Sequence, residues 1–240
     1  MRMNKSRRHL LVAAPMVLTA GGLVAADARR TFAANSHKDE TVPAVQDLMR
    51  EHGILRRILL AYRETAQRMR TEGKLIEPQA LYEATELFVM FGERYHEKAI
   101  EEPYVFPAVR KAGGPAAAYV DILIRQHDRG RELTTYMLSI LKKRSAGGDQ
   151  VQLLANIFDA LDLMYENHTA REDTVVFPAF QNALSPHQYE DMSGKFEQIE
   201  KTLPGLPDYQ EALQRITGIE QTLGYADLGQ FTAQRPPAPT

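Results

Sequence analysis

From Pro43 to Leu184 the chain repeats one pattern: long stretches with apolar residues three and four apart, broken by glycine. In the first stretch Val45, Leu48, His52, Leu55, Leu59, Tyr62, Ala66 and Met69 fall on one face of a helix, and Gly73 follows them. A second stretch runs from about Glu77 to Ala112 and stops at Gly113-Gly114. The third begins at Pro115, carries the stripe Val120, Leu123, His127, Gly130, Thr134, Met137, Leu141, and ends near Ser145 before Gly147-Gly148. The fourth runs from about Asp149 to Leu184. Strand signals are weak throughout, and the connections are short, as between antiparallel neighbours. The pattern predicts an all-α fold, an up-down-up-down antiparallel four-helix bundle over residues 43–184. Two additional C-terminal helices are expected over 185–225. Ser185-Pro186 with Gln188 opens the first as a capping box, and Asp208 with Glu211 opens the second. Both are expected on the outside of the bundle. The tail, 226–240, ends in TAQRPPAPT and is predicted to be mostly disordered.

The four stretches repeat in pairs. LMREHGILR in the first matches LIRQHDRGR in the third, and EEPYVFPAV in the second matches EDTVVFPAF in the fourth. A duplicated helical hairpin of this kind brings two similar half-sites face to face.

What those half-sites contain follows from four histidines, one per stretch: His52, His96, His127 and His168. A single histidine on an apolar helix face is more often a hydrogen-bonded core residue than a ligand. Four of them at matching places in a repeat point instead to metal. Glu172 lies four residues after His168, on the same face, which continues through Leu161, Tyr165 and Val175. A carboxylate buried there costs several kcal/mol unless a cation compensates it. Metal ligation is one solution, and an inward ion pair to an arginine such as Arg131 is the other. In the second stretch the matching carboxylate is Glu101, which stands five residues after His96, not four. A regular helix would turn that side chain away. Either the helix widens by one residue between the two, as Pro103 would allow by removing a hydrogen bond to Ala99, or Glu97 or Glu102 is the ligand. Ile100, four residues after His96, cannot ligate. The alignment of the two Phe-Pro words favours Glu101.

Imidazole and carboxylate ligands suit hard-to-borderline divalent ions, iron before manganese or zinc. The chain has no cysteine, which excludes disulfides, iron–sulfur clusters and thiolate zinc sites. Six ligands, His52, His96, Glu101, His127, His168 and Glu172, can hold a pair of ions with the two carboxylates as bridges. Open coordination then suits a small ligand such as dioxygen, peroxide or nitric oxide. The 29 basic and 31 acidic residues form no basic stripe with interleaved aromatics, so nucleic acid is not expected as a partner. His37 and His187 have no place in the constellation. Tyr95 and Tyr165 flank the ligand histidines and are read as core residues.

On DLMREHGILRR, YHEKAIEEPYVFPA, RQHDRGR and ENHTAREDTVVFPA, the chain resembles the hemerythrin-like proteins with the HHE cation-binding domain, over about residues 43–183. The resemblance implies a four-helix bundle with a non-haem di-iron centre. It implies the four histidines above as terminal ligands, with Glu101 and Glu172 as bridges. Oxygen-carrying hemerythrins have a second histidine one turn after the first on the third helix, and here that position is Arg131. The resulting set of four histidines and two glutamates is similar to relatives linked to nitric oxide chemistry and iron–sulfur repair. Those relatives act in the cytoplasm, so an exported chain is not expected to share their substrate. The first expectation is therefore a di-iron protein that binds or reacts with a small ligand. The alternative is a non-catalytic metal storage or sensing protein that signals to a partner, with the helices near 186–224 as the partner surface. Neither reading identifies a redox or protein partner.

The first 28 residues read as an export signal: a basic start, Arg7-Arg8 in SRRHLL, an apolar run from Leu10 and a small-x-small site at Ala26-Asp27-Ala28. SRRHLL resembles the twin-arginine signal of bacteria, which implies a periplasmic protein with no stable membrane insertion after cleavage. An N-terminal membrane anchor is the other reading of the same run. Residues 29–42 are polar and read as a linker.

Overall fold

The computed structural model describes residues 42–236. The export signal, nearly all of the linker and residues 237–240 lie outside the described residues. Within them the fold is all-helical, with no strand among the described residues.

Helix α1 spans Ala44–Glu72, and every residue of its predicted stripe is buried. Gly73 ends it in the left-handed conformation, its N–H bonded to the Met69 carbonyl. Pro43, at its start, offers no side-chain cap. The free N–H groups of Ala44 and Val45 donate instead to Ser193 Oγ (2.9 Å) and Tyr189 Oη (3.0 Å).

The second stretch is one continuous helix of changing pitch. It begins as α2, Pro78–Leu87, becomes π-helical over Phe88–Val105 (segment π1), and returns to α-helix as α3, Phe106–Ala112. Helix α4 spans Gly114–Leu141, and its predicted stripe, including His127 and Gly130, is buried. Helix α5 spans Gly148–Arg171, followed by one π-helical turn, π2, Glu172–Val176, and by α6, Phe177–Asn182. The two wide turns close alike. Phe106 N–H reaches back five residues to the Glu101 carbonyl, and Phe177 N–H to the Glu172 carbonyl.

The core is a continuous cluster of buried aromatic and aliphatic side chains. Tyr62 stacks on Phe158 with ring centres 4.6 Å apart. Each such ring contributes about 1.5–3 kcal/mol through burial. Helix α1 packs along α5, and α2 packs on α4.

Helices α7, Pro186–Thr202, and α8, Tyr209–Leu223, lie against α1, where Arg57 donates to Glu220 Oε1 (2.7 Å) and to Thr217. The capping box at Ser185 and Gln188 is complete, and Asp208 accepts from Glu211 N–H. In the tail, Leu228–Phe231 forms a 3-10 turn capped by Asp227, with Phe231 against Tyr225. No helix among the described residues is long and apolar enough to cross a membrane.

Candidate metal centre

Helices α1, α4, α5 and segments π1 and π2 converge on six fully buried side chains, those of His52, His96, Glu101, His127, His168 and Glu172. The histidines stand in two pairs. Nε2 of His52 and His96 are 3.0 Å apart, and Nε2 of His127 and His168 are 3.1 Å apart. Each glutamate reaches both pairs. Glu101 sets Oε1 at 3.4 Å from His96 Nε2 and Oε2 at 3.4 Å from His127 Nε2. Glu172 sets Oε1 at 3.0 Å from His168 Nε2 and Oε2 at 3.5 Å from His52 Nε2. Two half-sites result, each with two nitrogens and one oxygen from each carboxylate.

The outer nitrogens are all held. His52 Nδ1 is 2.7 Å from Asp173 Oδ1, His96 Nδ1 is 2.7 Å from Glu51 Oε2, His127 Nδ1 is 3.2 Å from Glu102 Oε1, and His168 Nδ1 is 2.9 Å from Gln126 Oε1. Each of these partners accepts, so each Nδ1 carries a proton and each Nε2 faces the centre, free to give its lone pair to a metal ion. Phe177 stacks over His52 and Phe106 over His127, at 5.3 and 5.5 Å between ring centres. The two Phe-Pro words thus wall the centre from opposite sides.

The spacing from His96 to Glu101 is explained by π1. Hydrogen bonds that reach back five residues put the fifth residue where an α-helix puts the fourth. The widening is larger than the one residue expected, since it covers Phe88–Val105 and includes Pro103. From His168 to Glu172 the chain is still α-helical, and the wide turn falls after Glu172. Glu97 and Glu102 face the outer side of His127, not the centre. Arg131 lies between them, donating from Nη1 to Glu97 (2.8 Å) and from Nη2 to Glu102 (3.0 Å) and Asp128 (2.9 Å). No pairing of Arg131 with Glu172 is found.

The cluster is built for positive charge. Glu101 and Glu172 are entirely buried, and none of their four oxygens has a hydrogen-bond partner. Burial raises the carboxyl pKa of Glu101, and Glu172 adds to this, but His96 and His127 outweigh both and hold it low. For Glu172, His168 and His52 likewise overcome burial. On His127 burial acts downward, but Glu97, Glu101 and Glu102 push its pKa up to about 10. Burial also opposes protonation of His96, yet Glu101 and Glu51 hold its pKa well above the usual range. Without metal, the raised His96 and His127 values mean that protons on Nε2 answer the carboxylate charge; metal ions would take the place of those protons and meet the same demand for positive charge. Two nitrogens each about 2.1 Å from one ion and at right angles stand about 3 Å apart. The residues present therefore fit a pair of metal ions.

Four contributors were not singled out in the sequence: Glu51, Gln126, Glu102 as an acceptor, and Asp173. Each is the chain neighbour of a cluster residue, and that adjacency is their only signal. Tyr165 is more than a packing residue. Its hydroxyl donates to Glu97 Oε1 (2.8 Å), and its ring lies 5.3 Å from that of His168. Gly130 makes this possible, because a Cβ there would stand 2.1 Å from Tyr165 Oη.

A surface recess of about 170 Å³, lined by Tyr119, Ile122, Leu123, Gln126, Asn167 and Arg171, reaches His168. A larger one of about 460 Å³ lies between α1 and Tyr225–Phe231 and touches none of the six residues.

Comparison with known proteins agrees with this geometry. A family model described as the hemerythrin HHE cation binding domain matches residues 44–149. Uncharacterized proteins of Mycobacterium tuberculosis and Mycobacterium bovis are each 40% identical over 192 residues, covering 80% of this chain and 74% of theirs. No solved structure matches the chain.

Proposed function

The chain belongs to the hemerythrin HHE cation-binding family, and from that premise we propose that it is a non-haem di-iron protein of hemerythrin type that binds or reacts with a small ligand such as dioxygen, peroxide or nitric oxide. The observation that carries this is the division of each carboxylate between the two histidine pairs. His52, His96, His127 and His168 would hold the ions terminally, with Glu101 and Glu172 as bridges. We further propose that the helices form the up-down-up-down antiparallel four-helix bundle expected from their short connections.

When bound, the metal pair supplies Lewis acidity and one-electron chemistry at open coordination positions. The protein's part is positioning. The acceptors on Nδ1 fix the tautomer and rotation of each imidazole. Phe106 and Phe177 exclude bulk water. With Arg131 in place of a fifth histidine, more coordination stays open, which favours reaction or sensing over reversible oxygen carriage. The small recess at His168 suits a diatomic ligand or peroxide better than a larger substrate.

The test is anaerobic purification, loading with ferrous iron, metal analysis and an optical spectrum before and after oxygen. About two irons per chain and ferric charge-transfer absorption are expected. One ion or none on an intact helical fold would overturn the proposal.

A second reading, metal storage or sensing, is favoured by one observation. Helices α7 and α8 cap and brace α1, which carries Glu51 and His52. Turnover separates the two: a sensing or storage protein consumes no more than one equivalent of ligand. Export to the periplasm by the twin-arginine route rests on Arg7-Arg8. Replacing both with lysine should leave the chain in the cytoplasm.

A further inference from the structure

The two half-sites are near copies, so the places where they differ are informative. In the repeat, His52 matches His127, His96 matches His168, Glu101 matches Glu172 and Glu102 matches Asp173. The Nδ1 acceptors follow the same correspondence. Asp173 serves His52 as Glu102 serves His127, and each of these carboxylates is held by an arginine, Arg56 or Arg131. The remaining pair breaks the match: His96 faces the carboxylate of Glu51, whereas His168 faces the amide of Gln126.

We propose that this difference makes the two half-sites electrically inequivalent. The ion held by His52 and His96 keeps the higher positive charge, and the ion held by His127 and His168 takes the first electron. The inference rests on the di-iron reading above. A carboxylate on Nδ1 draws the imidazole proton toward itself and makes Nε2 a stronger donor, whereas a neutral amide does so less. A stronger donor set favours the ion of higher charge.

Neighbouring charges do not cancel the effect. Arg56 offsets Asp173. Arg131 and Lys98 offset Glu102, and Arg131 also offsets Glu97, whose carboxylate lies 3.9 Å from His127 Nδ1. Glu51 is buried, and among the described residues no lysine or arginine pairs with it. Asp47, one turn before it on α1, is paired with Arg50 (2.5 Å) and leaves the charge of Glu51 uncompensated. The contrast at the Nδ1 contacts therefore stands: His96 meets a buried carboxylate with no basic side chain on it, and His168 meets a neutral amide. The recess at the surface reaches Gln126 and His168, so the half-site that is easier to reduce is also the one nearer solvent. The electron comes from an external one-electron reductant, and no bond is made or broken at Glu51 or Gln126.

The experiment uses the full chain loaded with iron, as wild type, Glu51→Gln, Gln126→Glu and the double exchange. Each is titrated with a one-electron reductant, the half-reduced state is followed by electron paramagnetic resonance, and the ions are distinguished by Mössbauer spectroscopy. The wild type should reduce in two separate steps. Gln126→Glu should make the first step about tenfold less favourable, or about 59 mV for one electron. Glu51→Gln should make the second step more favourable by a similar factor. Either single variant narrows the gap, and the double exchange reopens it with the two ions' roles reversed. Iron content is measured first, and fewer than two irons in the wild type refutes the di-iron reading itself. Two irons with steps that do not move refute the inequivalence alone. Should Glu51→Gln lose iron, Gln126→Glu decides the matter by itself, because it adds a charge without removing a supporting contact.

Discussion

Arg56 and Arg131 occupy the same place in the two halves of the molecule. Each stands four residues after a cluster histidine, and each grips the carboxylate that receives that histidine's Nδ1 proton. Their burdens differ. Arg56 also donates to the neutral Thr169, whereas Arg131 also holds the buried carboxylate of Glu97. Removing one partner of a buried ion pair costs about 3–5 kcal/mol, and the partial exposure of Arg131 puts Arg131→Ala near about 2–3 kcal/mol. Arg56→Ala, at a more exposed pair, should cost about 1 kcal/mol or less. Urea unfolding of the metal-free variants measures both. Equal losses would mean that Glu97 does not depend on Arg131.

Gly130 is the tightest point of approach near the centre. A Cβ there collides with Tyr165 Oη, the end of a rigid, buried ring already bound to Glu97. Gly130→Ala should cost about 1–3 kcal/mol through overpacking, with loss of the Tyr165 hydrogen bond. Gly92 is the control. A Cβ there meets Leu55 Cδ2 at 3.0 Å, and that flexible methyl can move aside. Thermal melts should separate the two variants clearly, and equal melting temperatures would refute the steric argument.

The stripes of α1 and α4 were legible because three-and-four spacing reports burial directly, and His127 and Gly130 simply continue it. His168 and Glu172 were legible as a pair because four residues make one α-helical turn. The Nδ1 acceptors were not, since each serves a histidine on another helix and shows in the sequence only as a ligand's neighbour. Nor was the cap of α1, which comes from Ser193 and Tyr189 nearly 150 residues away. Pro103 marked the widening near Glu101, but nothing in the sequence marks its extension back to Phe88.

Glu93 gives the metal-free protein a pH signature. Burial, with the charge of Glu97 adding to it, pushes its carboxyl pKa up to about 7, although Thr134 donates to it at 2.7 Å. An acid whose folded pKa is raised binds its proton more tightly when folded. The stability it contributes is whole below about pH 4.5 and is lost as pH rises toward 7. Glu93→Gln keeps the acceptor for Thr134 and removes the ionisation. It should be more stable than wild type at pH 8 by an amount on the order of 2–3 kcal/mol, with no gain at pH 4. Melting both proteins from pH 4 to 8 checks this, and a difference independent of pH would contradict it.

Glu101, Glu97 and Glu102 can be told apart by counting metal. Glu101 is the one of the three with an oxygen toward each histidine pair. Both Glu97 oxygens are taken by Tyr165 and Arg131, and Glu102 receives from His127, Lys98 and Arg131 on the outer side. In Glu101→Gln one carboxylate oxygen becomes an NH2 donor aimed at a half-site, and the bridging charge is gone. That half-site then offers one anionic oxygen fewer to a dipositive ion, and the amide cannot span two ions. Metal content should fall from about two ions per chain to one or fewer in Glu101→Gln. Glu97→Gln should keep about two, with a loss of stability where Arg131 has lost its charge partner. Glu102→Gln should also keep two, bound up to 10–100-fold more weakly, because it acts on His127 through hydrogen bonding alone. Elemental analysis after gel filtration, with competition against a chelator of known affinity, reads all three. Full metal content in Glu101→Gln together with loss in Glu97→Gln would reverse the assignment of the bridge.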